Sequence, residues 1–355
     1  MNIAILINTL EKGGAEKQSV YFAKAMKKHF NVYLIVLDGD KIEEKFHKTI
    51  LELNTIKLYG SPFRKAILLY NIFKKERVDI TFSYLARSNL YNAVLGNLAS
   101  VKYLIGGIRN PILPKSKFFL ERFLHNYVFD YSVSNSYAAV ESLSQNGFRK
   151  NKFHVIHNAI ELNENRVIIR QPSSNVNILS VARFVPQKDY ITALEAFELL
   201  RSKINNKINV TYTIIGYGQL EEVIKNKIRE LNLSDSISLL INTKKIYTYF
   251  KQSDIFFMSS LFEGFSNSIM EAMSCRLPIV GTNVGDTKFL VQDGVNGYIC
   301  DFKNPKQMAE KLEILVTDFA LRDRMGKESF HILEKSFTLK RFEKKYLNFI
   351  ESLHD

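Results

Sequence analysis

Residues 255–280 read IFFMSSLFEGFSNSIMEAMSCRLPIV. The apolar run Ile255 to Met258 is a strand, a polar and glycine-containing loop follows, a helix opens near Asn267, and Pro278 to Val280 is a second strand. Two short buried strands joined through a helix lie parallel, and such units repeated build an open α/β sheet.

The same rhythm extends in both directions. Upstream in the second half it gives strands at Ile178 to Ala182, Thr211 to Ile215 and Ile237 to Leu240, and downstream at Gly297 to Ile299. The first half repeats it at Ile3 to Ile7, Val32 to Leu37, Ile80 to Tyr84, Tyr103 to Ile105, Tyr131 to Val133 and Phe153 to Ile156. Between the halves, ELNENRVIIRQPSSNVN is polar and contains proline, the composition of a linker. The expectation is an α/β protein of two Rossmann-like, doubly wound parallel-sheet domains facing across a cleft, residues 1–165 and 166–337. Helices are expected at 305–316 and 319–334. A last amphipathic helix, within 338–355, is expected to pack back on the first domain. Ligands of such sheets bind beyond the carboxyl ends of the strands, so the loops there carry the candidates.

Composition narrows the class. With 355 residues and 46% apolar content, the chain has ample surface to bury, which excludes disorder. Its two cysteines, Cys275 and Cys300, support neither a disulfide framework nor a zinc site, and a reducing cytoplasm fits them. The opening MNIAILINTL lacks a charged signal-peptide start, and no apolar run reaches the roughly 20 residues of a membrane span. The expected location is cytoplasmic, peripheral at the inner face of the plasma membrane. The formal net charge is +13, and residues 1–165 hold 23 Lys and Arg against 14 Asp and Glu. Such an excess suits an anionic partner, although solubility alone would also explain it.

Two loops stand out. In the first, Glu263 and Glu271 flank Gly264, Phe265, Ser266, Asn267 and Ser268, where a helix N-terminus presents backbone N–H groups suited to phosphate. A carboxylate accepts paired hydrogen bonds from a diol, so both glutamates suit sugar hydroxyls, while a helix cap plus one surface glutamate would give the same spacing. In the second, Arg183 and Lys188 follow a buried strand five positions apart. Together they can hold a diphosphate and neutralise it as it leaves, and read alone they are equally two solvated cations. Gly13 and Gly14 after the first strand, and Gly216 and Gly218 after a middle one, allow close approach of backbone to a phosphate. Neither pair extends to G-x-G-x-x-G, which disfavours a dinucleotide oxidoreductase.

These residues resemble the family 4 retaining nucleotide-sugar glycosyltransferases, whose architecture is the two-domain GT-B fold. Glu263 and Glu271 reproduce the family's E-x7-E signature with its EGF and EAM flanks. Gly13-Gly14-Ala15-Glu16, His157-Asn158-Ala159-Ile160, Gly216-Tyr217-Gly218 and Pro278-Ile279-Val280 fall in the family's order. The resemblance implies that Arg183 and Lys188 contact the donor diphosphate, that Glu271 holds the ribose, and that Glu263 lies near the transferred sugar. It implies sugar transfer with retention from a donor expected to be UDP-linked, to a glycan or a lipid-diphosphate-linked acceptor of a surface polysaccharide. No metal or other cofactor is expected to be required. Two alternatives stay open: a same-fold epimerase or hydrolase, and a non-catalytic subunit that binds nucleotide sugars.

Where many relatives carry a histidine after the fourth strand, this chain reads Gly106-Gly107-Ile108-Arg109-Asn110-Pro111. Arg109 or Asn110 could orient the sugar or an acceptor phosphate from there, and a structural arginine pinning the loop is as good an account. Asp38-Gly39-Asp40 spells the D-x-D of metal-dependent glycosyltransferases, but it lies far from the donor motifs and Asp-Gly is ordinary turn chemistry. His154 and His157 fall on a strand and its exit and read as structural. Residues 109–124 interleave Arg109, Lys115, Lys117 and Arg122 with Phe118, Phe119, Leu120, Phe123 and Leu124, the make-up of a helix at an anionic bilayer or of a helix with an ordinary core face. No nucleic-acid-binding signature is present.

Overall fold

The structure is a computed structural model, and it describes residues 1–11, 13–109, 115–162, 169–204, 208–243 and 245–353. It divides into two compact units: Met1–Ala159 with Leu339–Asp355, and Ile160–Thr338. The division falls nearer the His157-Asn158 exit than residue 165.

The first unit contains β1 (Asn2–Ile7), α1 (Gly14–Met26), β2 (Asn31–Val36), α2 (Glu44–Leu51), β3 (Asn54–Lys57), α3 (Pro62–Lys75), β4 (Ile80–Ser83) and α4 (Ala86–Leu98). There follow β5 (Tyr103–Ile108), α5 (Lys115–Phe123) with a π-helical turn at Leu124–Val128, β6 (Tyr131–Ser134), α6 (Tyr137–Gln145) and β7 (Phe153–Val155). The strands pair in parallel in the order β3-β2-β1-β4-β5-β6-β7. Side chains alternate across this sheet. Ile3, Ile5 and Ile7 pack with Val20 and Phe22 of α1, whereas Ala4 and Leu6 pack with Leu69 and Phe73 of α3 and Ala93 and Leu95 of α4. Strand β3, NTIK, was absent from the sequence-derived set because it carries one apolar residue and pairs with a single neighbour, β2.

The second unit contains β8 (Asn175–Val181), α7 (Tyr190–Lys203), β9 (Asn209–Gly216), α8 (Glu221–Glu230), β10 (Ile237–Ile241), α9 (Ile246–Gln252), β11 (Ile255–Met258) and α10 (Asn267–Ser274). It closes with β12 (Ile279–Thr282), α11 (Thr287–Leu290), β13 (Gly297–Cys300), α12 (Pro305–Thr317) and α13 (Phe319–Ser336). The order β10-β9-β8-β11-β12-β13, all parallel, is the doubly wound arrangement. Ile178, Tyr212, Ile214 and Phe257 face one helical layer, which includes Phe197 of α7 and Leu312 of α12. Leu179, Phe256 and Ile279 face the other, with Ile269 and Met273 of α10 and Leu333 of α13.

Helix α14 (Leu339–Glu351) belongs to the first unit. Phe342, Tyr346, Phe349 and Ile350 form one apolar face, buried with α1, and the Tyr346 ring stacks on Phe22 at 4.0 Å. Among the described residues no helix is long and apolar enough to cross a membrane.

Candidate functional site

In the second unit the chain leaves β8 toward β9 on one side and leaves β11 toward β12 on the other. The loops after these adjacent strands diverge, opening the crevice at which doubly wound sheets take ligands. Arg183 and Lys188 lie on the first loop and Glu263 on the second.

The loops are stitched together by short-range polar contacts. Leu261 N donates to Gln187 O at 2.8 Å and Gln187 Nε2 donates to Phe262 O at 2.7 Å. Ser259 Oγ donates to Lys188 O at 2.8 Å. Within this frame Lys188 Nζ forms an ion pair with Glu263 Oε1, which also accepts from Ser260 Oγ at 2.7 Å. Glu263 is 8% exposed. A carboxylate removed from water in this way requires a charged partner, and Lys188 supplies it. Arg183 is exposed and, among the described residues, makes no ion pair, so its whole guanidinium fork is available to an anion.

A glycine pair completes the floor. Phe184 N donates to Tyr217 O at 2.7 Å, which draws the Gly216-Tyr217-Gly218 turn against the Arg183 loop. A Cβ at Gly216 would lie 2.0 Å from Ala182 O, and one at Gly218, where φ is +146°, would lie 2.5 Å from Phe184 O. These glycines are therefore required by backbone packing within the protein, a role distinct from the approach to phosphate expected from sequence.

The Glu263 loop enters α10 through Ser266, whose Oγ accepts from Ile269 N at 3.4 Å and lies 3.1 Å from Ser268 Oγ. Phe265 is buried and its ring lies 5.1 Å from that of Phe337, so it anchors the loop. The Gly264 carbonyl accepts from Asp286 N at 3.1 Å. Asn267 and Glu271 are half-buried on α10, and Tyr247 Oη of α9 donates to Glu271 Oε1 at 3.4 Å. The structure thus brings Lys188 and Glu263 into contact, and gives Glu271 a different partner. Gln187, Ser259, Ser260 and Tyr247 escaped the sequence reading because short polar loop residues and a lone helical tyrosine carry no signal before their partners are known.

In the first unit, Gly13 has extended backbone and precedes α1, which Gly14 heads. The Glu16 carboxylate folds over Gly13, and burial pushes its pKa up against the pull of Lys45 and Arg109. Arg109 Nη1 donates to Asn158 Oδ1 at 2.9 Å and its guanidinium lies 4.2 Å from the Tyr84 ring centroid. Arg109 thereby ties the end of β5 to the chain leaving β7. Asn110 lies outside the described residues.

Asp38 accepts from Arg87 Nη2 at 2.7 Å and from Lys65 Nζ through its other oxygen. Burial alone would raise its pKa, but those two cations hold it below the usual carboxylate value. Both oxygens are therefore committed, a poor start for a metal site. His154 packs 4.2 Å from the Phe349 ring, and His157 is buried beside Tyr137. Among the described residues no group of three His, Cys, Asp or Glu could hold a metal ion.

Residues 162–331, nearly the whole second unit, match the family described as Glycosyl transferases group 1. Along most of its length the chain is similar to N-acetylgalactosamine-N,N'-diacetylbacillosaminyl-diphospho-undecaprenol 4-alpha-N-acetylgalactosaminyltransferase of Campylobacter jejuni. The two are 26% identical over 341 residues, which cover 90% of this chain and 91% of that one. It is also 25% identical over 304 residues to the UDP-Gal:alpha-D-GlcNAc-diphosphoundecaprenol alpha-1,3-galactosyltransferase of Escherichia coli, covering 79% of this chain and 77% of that one. Among solved structures, Anabaena HepE in complex with UDP and glucose superposes with a TM-score of 0.84 at 18% identity, covering 99% of this chain and 100% of that one. The fold is that of the GT-B glycosyltransferases. The family match lies on the second unit, and the Campylobacter and Escherichia relatives, whose similarity extends over most of the chain, are glycosyltransferases.

Proposed function

We propose that the protein transfers a sugar, with retention of anomeric configuration, from a UDP-linked donor to a hydroxyl of a lipid-diphosphate-linked glycan in surface-polysaccharide synthesis. The observation that carries this reading is the meeting of Lys188 and Glu263 at the switch point between β8 and β11, with Arg183 on the same loop as Lys188. The activities of the Campylobacter and Escherichia relatives, both of which act on diphosphoundecaprenol-linked sugars, support the acceptor class. UDP bound to the Anabaena protein supports the nucleotide.

In the transfer the bond between the anomeric carbon and the diphosphate oxygen breaks. The acceptor oxygen bonds that carbon from the same face, and its proton passes to the departing phosphate. The chief demand is to stabilise charge on the leaving group. Arg183 offers a planar fork and Lys188 a point charge, and in the absence of donor Glu263 keeps that charge in place. On donor binding, Glu263 accepts from hydroxyls of the sugar and Glu271 from the ribose diol, while Ser266, Asn267 and Ser268 border the phosphates at the start of α10. The charge comes from side chains, so no metal or other cofactor is assigned. Gly13 and Gly14 let the backbone approach a donor phosphate closely, and residues 109–124 contact an anionic bilayer from the cytoplasmic face.

The test is a thermal-shift screen of nucleotide sugars, followed by product analysis on a short-chain polyprenyl-diphosphate sugar. A UDP-sugar should stabilise the protein, and product should form only with acceptor present. Sugar release without acceptor would replace transfer by hydrolysis, and stabilisation by no nucleotide sugar would end the donor assignment.

A further inference from the structure

Helices α3, α4 and α5 lie side by side on the first unit, α3 against α4 and α4 against α5. Tyr91 Oη of α4 donates to Pro62 O of α3 at 3.2 Å. Their inner faces fill the core with Leu69, Phe73, Ala93 and Leu95. Their outer faces are also apolar. Phe63 and Ile67 on α3, Leu90, Val94 and Leu98 on α4, and Phe119, Phe123 and Tyr127 on α5 and its π turn each recur at four-residue spacing. Such spacing puts each set in one stripe. Together with Leu68 and Leu120 these side chains range from 37% exposed at Leu68 to 77% at Phe63. In the second unit, exposed large apolar side chains such as Val223 and Ile314 stand singly, which is ordinary.

Charge on this layer is one-sided. The spans of α3 and α4 contain no Asp or Glu, and the sole carboxylate of α5, Glu121, is 2% exposed and turned inward to Asn89. Arg64, Lys74, Lys75 and Lys117 are exposed. Glu76, just beyond α3, accepts from Tyr33 Oη at 2.7 Å and pairs with Lys75 at 3.7 Å, which leaves Arg64, Lys74 and Lys117 as the exposed cations without a carboxylate partner among the described residues. By contrast α8 mixes acids with bases and holds Lys225 between Glu221 and Glu222.

We propose that the outer faces of α3, α4 and α5 form one docking surface for an anionic lipid leaflet, with the three apolar stripes entering the interface and the flanking cations meeting lipid phosphates. This deepens the bilayer contact proposed for residues 109–124 and moves most of the apolar area to α3 and α4. Parallel apolar stripes bordered by Arg64, Lys74 and Lys117, which make no ion pair among the described residues, are what a bilayer surface selects. A second copy of the same face would bring like charges together, which disfavours self-association. Residues 110–114 of the span 109–124 lie outside the described residues, and from Lys117 to Leu124 the structure divides the side chains. Phe118 packs with Phe148 and Leu124 enters the core, while Phe119, Leu120 and Phe123 remain outside.

The test is co-sedimentation of the full chain with vesicles of phosphatidylcholine, with and without phosphatidylglycerol. The wild type should bind only the anionic vesicles. The Phe63→Ser/Val94→Ser/Leu98→Ser variant should bind roughly tenfold more weakly or less, and Arg64→Gln/Lys117→Gln should lose most of the preference for phosphatidylglycerol. All these side chains are exposed, so both variants should keep the melting temperature of the wild type and its stabilisation by UDP-sugar. Wild-type failure to sediment, wild-type-like binding by both variants, or a concentration-dependent dimer abolished by the triple variant would overturn the proposal. Loss of UDP-sugar stabilisation by the wild type would instead refute the glycosyl-transfer reading, which leaves vesicle binding unaffected.

Discussion

Glu121→Gln should make the protein more stable above neutral pH and leave it unchanged in mild acid. Glu121 is buried, its Oε2 accepts from Asn89 Nδ2 at 2.8 Å, and its Oε1 has no hydrogen-bond partner among the described residues. Burial raises its pKa from 4.5 to about 7, against the opposing pulls of the Asn89 hydrogen bond and the Lys117 charge. A carboxyl whose folded-state pKa is raised holds its proton in the folded chain while the unfolded chain has lost it. Its contribution is complete below 4.5, declines as pH rises, and has gone above about 7. At about 1.4 kcal/mol per pH unit, that interval amounts to about 3 kcal/mol. Glutamine stays neutral at every pH and keeps an oxygen for Asn89. Urea unfolding of wild type and variant at about pH 5 and about pH 8 reads the difference directly, because every other titrating group cancels between the two proteins. The variant's advantage should be near zero at the lower pH and reach up to about 3 kcal/mol at the higher. Parallel curves, with the same gap at both values, would refute a buried protonated carboxyl at this position.

Lys188→Ala should lower kcat by about 10² to 10³, since one charge-stabilising group on the leaving oxygen is worth that much; unchanged turnover at saturating donor would remove Lys188 from that role. Glu271→Ala should weaken UDP-sugar binding roughly tenfold or more through loss of hydrogen bonds to a charged acceptor, measured calorimetrically, and an unaltered dissociation constant would exclude the ribose contact. Gly218→Ala should lower the melting temperature by several degrees, as about 1–3 kcal/mol of backbone strain would suggest, because its Cβ would press on the Phe184 carbonyl; a neutral effect in thermal denaturation would show that the turn can shift.

Much of the site was legible beforehand because it sits at the ends of strands that announce themselves. Ile255–Met258 and Asn175–Val181 are buried runs followed at once by polar residues, and Arg183, Lys188 and Glu263 lie within those polar stretches. Less legible was which charges are spent inside the protein. In sequence Arg109 reads equally as an orienting cation or as a pin for its loop, and the structure gives its guanidinium to Asn158 and Tyr84. Asp38 reads in sequence as part of a turn, and what the sequence does not show is that Lys65 and Arg87 neutralise it from α3 and α4. Such partners lie 27 and 49 positions away, and no local pattern links them.

The chain order of short apolar runs and amphipathic stretches was enough to settle the doubly wound parallel sheets, because burial on both faces of a parallel strand leaves a continuous apolar signal that needs no knowledge of neighbours. Strand order, the pairing of Lys188 with Glu263, and the outward-facing apolar layer on α3 to α5 were decided only in three dimensions. An apolar residue at helical spacing is the same letter whether it turns to the sheet or to solvent. Only packing tells Phe73, fully inside, from Phe63, left outside ten residues earlier.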